Sequence, residues 1–400
     1  MVLPRLKKRN YNMLFLYFYI LAVYTVPIVK SSLSVNTFTL YSLFGVGMFN
    51  LIIQTKKVKI YTYFGWYMSF IVLSLFSCLY AYDFNVALNG VYDLLVVLGI
   101  TAASIYLIKT KEEIIRIFVC FSMSGLIVFF GLMVTNQLIT EYRLGNELFG
   151  NANTFAMFVM ISLICSLWLL IYSKSGFRII YIVTVMSQFY LLLLSGGRKF
   201  VIIPIVFLYL ILLQNTNREN QKNIIKKTII ILFIVGIVYY IMITVPIIYN
   251  NIGCRVESLV DASFGRGELD NSDYTRKIMV ERGWELFQSN PILGYGNNNY
   301  FVISGFNTYS HNNFIETLVN FGFIGFSLYY YFYIYLLVKL WKITGTEEKK
   351  YRDFFIGFVI SLMILEMGSV TYNLPFIHIF LALGSWFVIH ERDSMKGRQC

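Results

Sequence analysis

The stretch SHNNFIETLVNFGFIGF, Ser310 to Phe326, sets an imidazole and a carboxylate at the mouth of an apolar run. Asn312, Glu316 and Asn320 are spaced i, i+4, i+8, so they share one stripe of a helix, and His311 stands just before it. A membrane interior penalises such groups, so a chain that keeps them has a use for them. The plain use is a helix cap with a first-turn acid favoured by the helix dipole. The chemical use is the polar wall of a cavity where a base takes a proton from a hydroxyl.

Three other places hold comparable groups. LLLLSGGRKFVIIP puts Arg198 and Lys199 after a tight turn whose Ser195, Gly196 and Gly197 offer N–H groups to an anion. Its plain reading is a pair of snorkelling cations. FGNANTFAMF opens an apolar run with Asn151 and Asn153, which on their own make a cap and a turn. SDYTRKIMVERGWELFQSNP reads as a helix capped by Ser272 or Asp273 and ended by Pro291. Val280, Trp284 and Phe287 form its apolar stripe; Arg276 lies on that side, toward the membrane or a cavity mouth. Gly294, Gly296 and Asn297–Asn299 follow, and suit a tight loop with exposed backbone N–H groups. Paired arginines suit a diphosphate, whose oxygens accept forked donors.

The elements that must position these groups are membrane helices. The 400 residues are 58% hydrophobic and 14% charged, with a mean hydropathy of +0.65. A helix crosses a bilayer with roughly 20 apolar residues, and lipid leaves an open sheet no partner for its backbone. Twelve spans are predicted: 11–29, 35–53, 60–80, 88–108, 114–134, 152–172, 178–194, 200–213, 228–247, 313–341, 354–370 and 375–390. The eighth is short enough to be re-entrant or to borrow flanking residues. The first reads as an uncleaved anchor. With the N-terminus in the cytoplasm, most of the 33 basic residues fall on the inner side. They include Arg5, Lys7, Lys8, Arg9, Lys56, Lys57, Lys59, Lys174, Arg218 and Arg398. Both termini therefore face the cytoplasm. The net charge of +12 is mostly this topology signal, and no nucleic-acid partner is needed to explain it.

The expected fold is all-α: a single polytopic membrane domain over 1–400, with a long, partly helical outer loop, 248–311, between spans nine and ten. Five scattered cysteines, Cys400 among them, form neither a CxxC nor a disulfide framework. No metal site and no cofactor are expected. Asp93, Glu316, Glu366 and His378 all fall near the outer ends of their spans. One outer polar cavity, with Arg198 and Arg276 at its rim, would explain all four.

Four stretches, taken in order, resemble the O-antigen ligase/O-antigen polymerase superfamily of bacterial membrane glycosyltransferases. FGNANTFA resembles its Gly-Asn-x-Asn-x-x-Ala span opening. LSGGRKF resembles its Ser-x-Arg turn, with a second glycine between serine and arginine here. TRKIMVERGWELFQSNPILGYGNNNYF is similar to its Arg…Pro-x-x-Gly-x-Gly outer segment. SHNNFIETLVNFGFIG is similar to its His-Asn…Glu…Gly-x-x-Gly signature.

The resemblance covers about residues 149–326 and implies a GT-C-like, metal-independent transferase in the bacterial cytoplasmic membrane. Such a protein takes a glycan from an undecaprenyl-diphosphate carrier and attaches it to a hydroxyl outside the membrane. By motif, Arg198 and Arg276 would hold the diphosphate, with Arg266 or Arg255 able to share that role. His311 would orient or deprotonate the hydroxyl, and Glu316 would support or replace it. Asn153, Asn312, Gly294 and Gly296 would support the site. A polymerase of O-antigen, capsule or exopolysaccharide is favoured over a ligase that moves a finished chain to another acceptor. The rival class is a flippase for lipid-linked oligosaccharide. Expected partners are the lipid-linked oligosaccharide, a chain-length regulator, a flippase and the bilayer.

Overall fold

The computed structural model describes residues 10–29, 34–53, 61–138, 143–173, 175–214, 221–268 and 270–397. Arg5, Lys7, Lys8, Arg9, Lys56, Lys57, Lys59, Lys174, Arg218, Arg398 and Cys400, used above, lie outside them. Fourteen helices matter here. They are α1 (Met13–Val29), α2 (Ser34–Ile53), α3 (Thr62–Ser77), α4 (Phe84–Ile105), α5 (Lys111–Val134), α6 (Ala152–Tyr172) and α7 (Arg178–Ser195). Then come α8 (Arg198–Gln214), α9 (Gln221–Thr244), α10 (Cys254–Ser263), α11 (Asn271–Ser289), α12 (Asn313–Trp341), α13 (Thr346–Glu366) and α14 (Pro375–Gly397). There is no strand among the described residues.

All but α10 and α11 coincide with the predicted spans. Among the described residues, six helices (α4, α5, α6, α7, Lys222–Thr244 of α9, and α12) are by themselves long and apolar enough to cross a membrane. Their outward faces confirm the solvent: α9 exposes Ile229, Leu232, Phe233 and Tyr240. In water such a face would need a partner, whereas hydrocarbon solvates it. The chain is an all-α polytopic membrane protein.

Polar side chains open the helices where the chain leaves the apolar layer. Asp83 caps α4, accepting from the amides of Asn85 and Val86 at 2.9 and 3.1 Å. Thr110 and Glu113 form a capping box on α5. Between helices the packing is aromatic. Trp66 stacks on Phe332 with ring centroids 4.4 Å apart, and Phe118 on Phe354 at 4.1 Å.

The short eighth span is not re-entrant. α8 runs antiparallel to α13 through the depth of the bundle. Lys199, in its first turn, donates to the Gly368 carbonyl just beyond the end of α13. Farther along, Phe207 and Ile211 close over Gly357. The helix begins at Arg198, inside the turn that the hydropathy pattern excluded, and this supplies its missing length.

The turns after α7 and α13, the start of α12, and the segment carrying α10 and α11 gather at one end of the bundle. At the opposite end Lys111 pairs with Glu348 at 3.2 Å and with Glu391, tying α5 to α13 and α14. The long connection is partly helical, as expected, but α10 was not read as a helix from the sequence, although its Val256, Leu259 and Val260 fall at i, i+3, i+4.

Candidate functional site

The site begins at a break in α12. Gly322 leaves helical geometry at φ 62°, ψ −166°, and the helix resumes beyond it. The segment Pro291–Gly296 fills the gap. The carbonyls of Pro291 and Ile292 accept from the amides of Phe323 and Ile324, at 2.8 and 3.4 Å. In return the amides of Tyr295 and Gly296 donate to the carbonyls of Val319 and Asn320, each at 2.9 Å. The approach is backbone to backbone. A Cβ on Gly322 would lie 2.2 Å from the Ile292 carbonyl oxygen, and one on Gly294 would lie 2.5 Å from that of Val319. Both glycines also hold positive φ. The sequence reading expected exposed N–H groups in this loop; those of Tyr295 and Gly296 are instead spent completing the broken ladder of α12.

The same interlock fixes the turn before α12. Asn312 is the cap, accepting from the amides of Phe314 and Ile315 at 3.0 and 3.1 Å. Ser310 is buried, and its hydroxyl donates to the Asn312 carbonyl at 2.8 Å. Glu316, 2% exposed, accepts from the Ser310 amide at 2.7 Å and from the Asn320 side chain at 3.3 Å. Asn320 in turn accepts from the Tyr300 amide at 2.8 Å. Between Ser310 and Asn312, His311 is held at φ 58°, its ring 4.3 Å from that of Tyr309. Burial, then Arg276 and Lys199, pull the imidazole down to about 4. It is neutral at pH 7.

Beside it stands a cluster of cations. α11 is capped by Asp270, whose carboxylate accepts from the Asp273 amide at 2.7 Å. The helix thus starts earlier than the expected Ser272 or Asp273 cap. Its inward face is Met279, Gly283 and Leu286, and Trp284 is largely exposed, so the stripe is rotated from the predicted one. Asp273, one turn from the cap, holds the Arg198 guanidinium and lies 3.6 Å from that of Arg276. Arg255, on α10, donates to the Gly196 carbonyl at 2.9 Å and lies 3.4 Å from Asp270. Arg143 enters from the loop before α6, donating to Ser195 O at 2.9 Å and to Asn153 Oδ1 at 3.1 Å. Burial, then Arg255, Arg276 and Arg198, lower Arg143 to about 10. Burial also lowers Arg276 from its ordinary value, with Asp273 working in the opposite direction. Four arginines thus face two carboxylates, which leaves an excess of positive charge.

Arg198, Lys199, Arg255 and Arg276 line a cavity of about 290 Å³ together with Asn153, Gly196 and Gly197. The N-terminus of α8 faces the same space, and helix N-termini favour anions. A second cavity of about 480 Å³ is lined by Tyr309, Glu316, Tyr372 and several amide and apolar side chains. Adjacent residues, Asn153 and Thr154, divide between the two cavities, as do Gly368 and Val370 across one intervening position. His311 feels the cations of the first and touches Tyr309 of the second.

Of the residues singled out from the sequence, Arg198, Arg276, Asn153, His311, Asn312 and Glu316 gather at this end. Gly294 and Gly296 hold the interlock beneath it. Arg266 does not join them. It stands at the exposed turn after α10, its guanidinium 5.6 Å over the Phe264 ring. One cavity does not explain all four in-span groups. Only Glu316 lines one. Glu366 accepts from Tyr333 at 2.8 Å and from Thr371, and His378 meets the Tyr63 hydroxyl at 2.9 Å, both wholly buried among aromatic rings. Asp93 is on the exposed side of α4. Arg143 was missed. Its signal was available: an arginine against the charge rule, just before FGNANTFA. Among the described residues no group of His, Cys, Asp and Glu could hold a metal ion.

Residues 183–330 match the family model described as O-Antigen ligase. The match takes in the SGGR turn, the segment with α10 and α11, the interlock and the His311 turn; Arg143 and Asn153 lie before it. No curated protein matches the chain.

Proposed function

We propose, for a chain whose residues 183–330 match the O-Antigen ligase family model, that it polymerises glycan from a lipid-diphosphate carrier. The cationic cavity receives the diphosphate of an undecaprenyl-linked donor on the outer side of the cytoplasmic membrane. A hydroxyl of the acceptor glycan, itself on a second lipid-linked repeat unit, attacks C1 of the donor sugar. The new C1–O bond forms as the bond to the diphosphate breaks. The electron pair leaves on the lipid diphosphate, and the hydroxyl proton passes to a ring nitrogen of His311. A single displacement of this kind inverts the anomeric centre.

The observation that carries this reading is the cavity lined by Arg198, Lys199, Arg255 and Arg276, with His311 near enough for Arg276 and Lys199 to act on its charge. The arginines stabilise charge developing on the leaving diphosphate, a contribution of roughly 10²–10³ in rate for a well-placed donor. They also gate the base. In the empty site burial, and second to it the field of Arg276 and Lys199, keeps His311 from binding a proton. A seated diphosphate cancels that field and raises the proton affinity of the ring, so the base gains strength when the donor is in place. Glu316, which grips the amide before His311, is a positioning residue for it.

The test is purified protein in detergent with lipid-linked repeat unit and no ion gradient. Growth of a glycan ladder supports the proposal. Movement of lipid between leaflets of a sealed vesicle, with no ladder, would assign the chain to transport. The description of the matching family favours a second reading, ligation. A ligase would leave repeat units unextended and transfer glycan only when a separate lipid acceptor is added.

A further inference from the structure

We infer that the 480 Å³ cavity is the subsite for the acceptor glycan, and that it is built for an uncharged sugar. The inference rests on the transferase reading above. The cavity lies beside the cationic one, Thr154 and Val370 lining it where Asn153 and Gly368 line the other, and the ring of its Tyr309 lies 4.3 Å from that of His311, the group an acceptor hydroxyl must reach. Its lining is of a different kind. No lysine or arginine contributes to it. Phe301, Tyr309 and Tyr372 supply aromatic faces, which suit the C–H faces of a pyranose ring. Asn89, Asn298 and Asn373 supply amides, each able to give and accept with neighbouring hydroxyls.

Two of those amides are unspent: Asn89 and Asn373 make no side-chain hydrogen bond among the described residues. The third is oriented. Tyr372 donates to Asn298 Oδ1 at 2.6 Å, which leaves the Asn298 NH₂ group to donate. The one ionisable acid in the lining is Glu316, 2% exposed. A sugar carboxylate would enter with no cation in the lining to pair with it and beside an acid, so uronic and other anionic sugars are selected against.

The experiment uses the full chain in detergent and saturation-transfer NMR. Methyl galactoside, methyl N-acetylglucosaminide and methyl glucuronide serve as probes at millimolar concentration, with inorganic pyrophosphate as a separate ligand. The two uncharged glycosides should bind, and pyrophosphate should not displace them. Phe301→Ala and Asn373→Ala should each weaken glycoside binding by about tenfold while pyrophosphate binding stays as in the unaltered chain. No binding by either uncharged glycoside, equal binding by the glucuronide, or unchanged binding in both variants overturns the inference. Failure of pyrophosphate to bind the unaltered chain would instead strike the transferase reading beneath it.

Discussion

The carboxylate of Glu316 reaches back to the amide of Ser310 at 2.7 Å, so the acid inside α12 fixes the turn that presents His311. This gives the acid a positioning role that can be separated from a catalytic one. Glu316→Gln keeps an oxygen for the Ser310 amide and loses only the weaker Asn320 contact, so turnover should stay within about tenfold of the unaltered enzyme. Glu316→Ala strands a buried N–H, at a cost of about 1–3 kcal/mol, and should lose far more. Equal loss in both variants, on the order of 10²–10⁴, would mark Glu316 as the base itself.

The titration of His311 should report its neighbours. It is held near 4 by burial and by Arg276 and Lys199. Removing a positive neighbour relieves the imidazolium form, so Arg276→Ala should raise the midpoint toward the ordinary histidine value. Saturating pyrophosphate should raise it in the unaltered chain. Labelled-histidine NMR across pH 3–8 reads both, and a downward shift in either case contradicts the electrostatic gate.

Arginines at this end should divide by location. Arg276→Ala and His311→Ala should leave an inserted, folded protein that makes no polymer. Arg276→Lys should also be poor, because lysine lacks the planar fork. Arg143→Lys should lose activity for a similar reason, since one ammonium replaces a guanidinium that reaches both Ser195 O and Asn153. Arg266→Ala, whose side chain rests on Phe264 outside both cavities, should polymerise normally. Ladder assays on matched amounts of purified protein compare the five.

Glycine at 322 should be irreplaceable. A Cβ there meets a backbone oxygen at 2.2 Å in a left-handed conformation, so Gly322→Ala should cost several kcal/mol. Gly236→Ala, on the open face of α9, has no neighbour within 4 Å. It should be neutral or stabilise by up to about 1 kcal/mol. Thermal unfolding in detergent distinguishes a shared effect, which would count against the interlock, from the expected contrast.

Docking of α11 should weaken in acid. Partial burial pushes the Asp270 carboxyl up, but the Asp273 amide, Arg198 and Arg255 outweigh it, and the group is held below its ordinary value. A depressed carboxyl stabilises the fold above its unfolded value of about 3.9, and that stabilisation fades as pH drops through the folded value. Hydrogen exchange over residues 254–289 should therefore quicken below about pH 4. Asp270→Asn should exchange faster at neutral pH and lose most of the acid dependence.

The spans were legible because each needs an apolar window of nearly fixed length, and the composition leaves little else for the chain to be. α8 was read short because its first turn is Arg198 and Lys199, which a hydropathy window discards; it borrows those flanking residues, one of the two readings left open for it. His311, Glu316, Arg198 and Arg276 stood out as polar groups in costly places, and their arrangement agrees with that logic. Arg143 stood against the charge rule in the loop before FGNANTFA, but its spacing did not tie it to the other cations, and the folded chain brings it to Asn153. Glu366 and His378 look alike in sequence to Glu316 yet have tyrosine partners within the bundle, a distinction of packing that spacing cannot carry.

The mutual bonding of 291–296 and the break at Gly322 also orders the protein's biogenesis. Neither partner is complete alone: the loop lacks acceptors for its amides, and the emerging helix lacks a continuous ladder. The extramembrane segment, although synthesised first, must wait for the helix that follows it to be inserted. A nascent chain halted before residue 313 would therefore hold its arginines without an architecture to aim them.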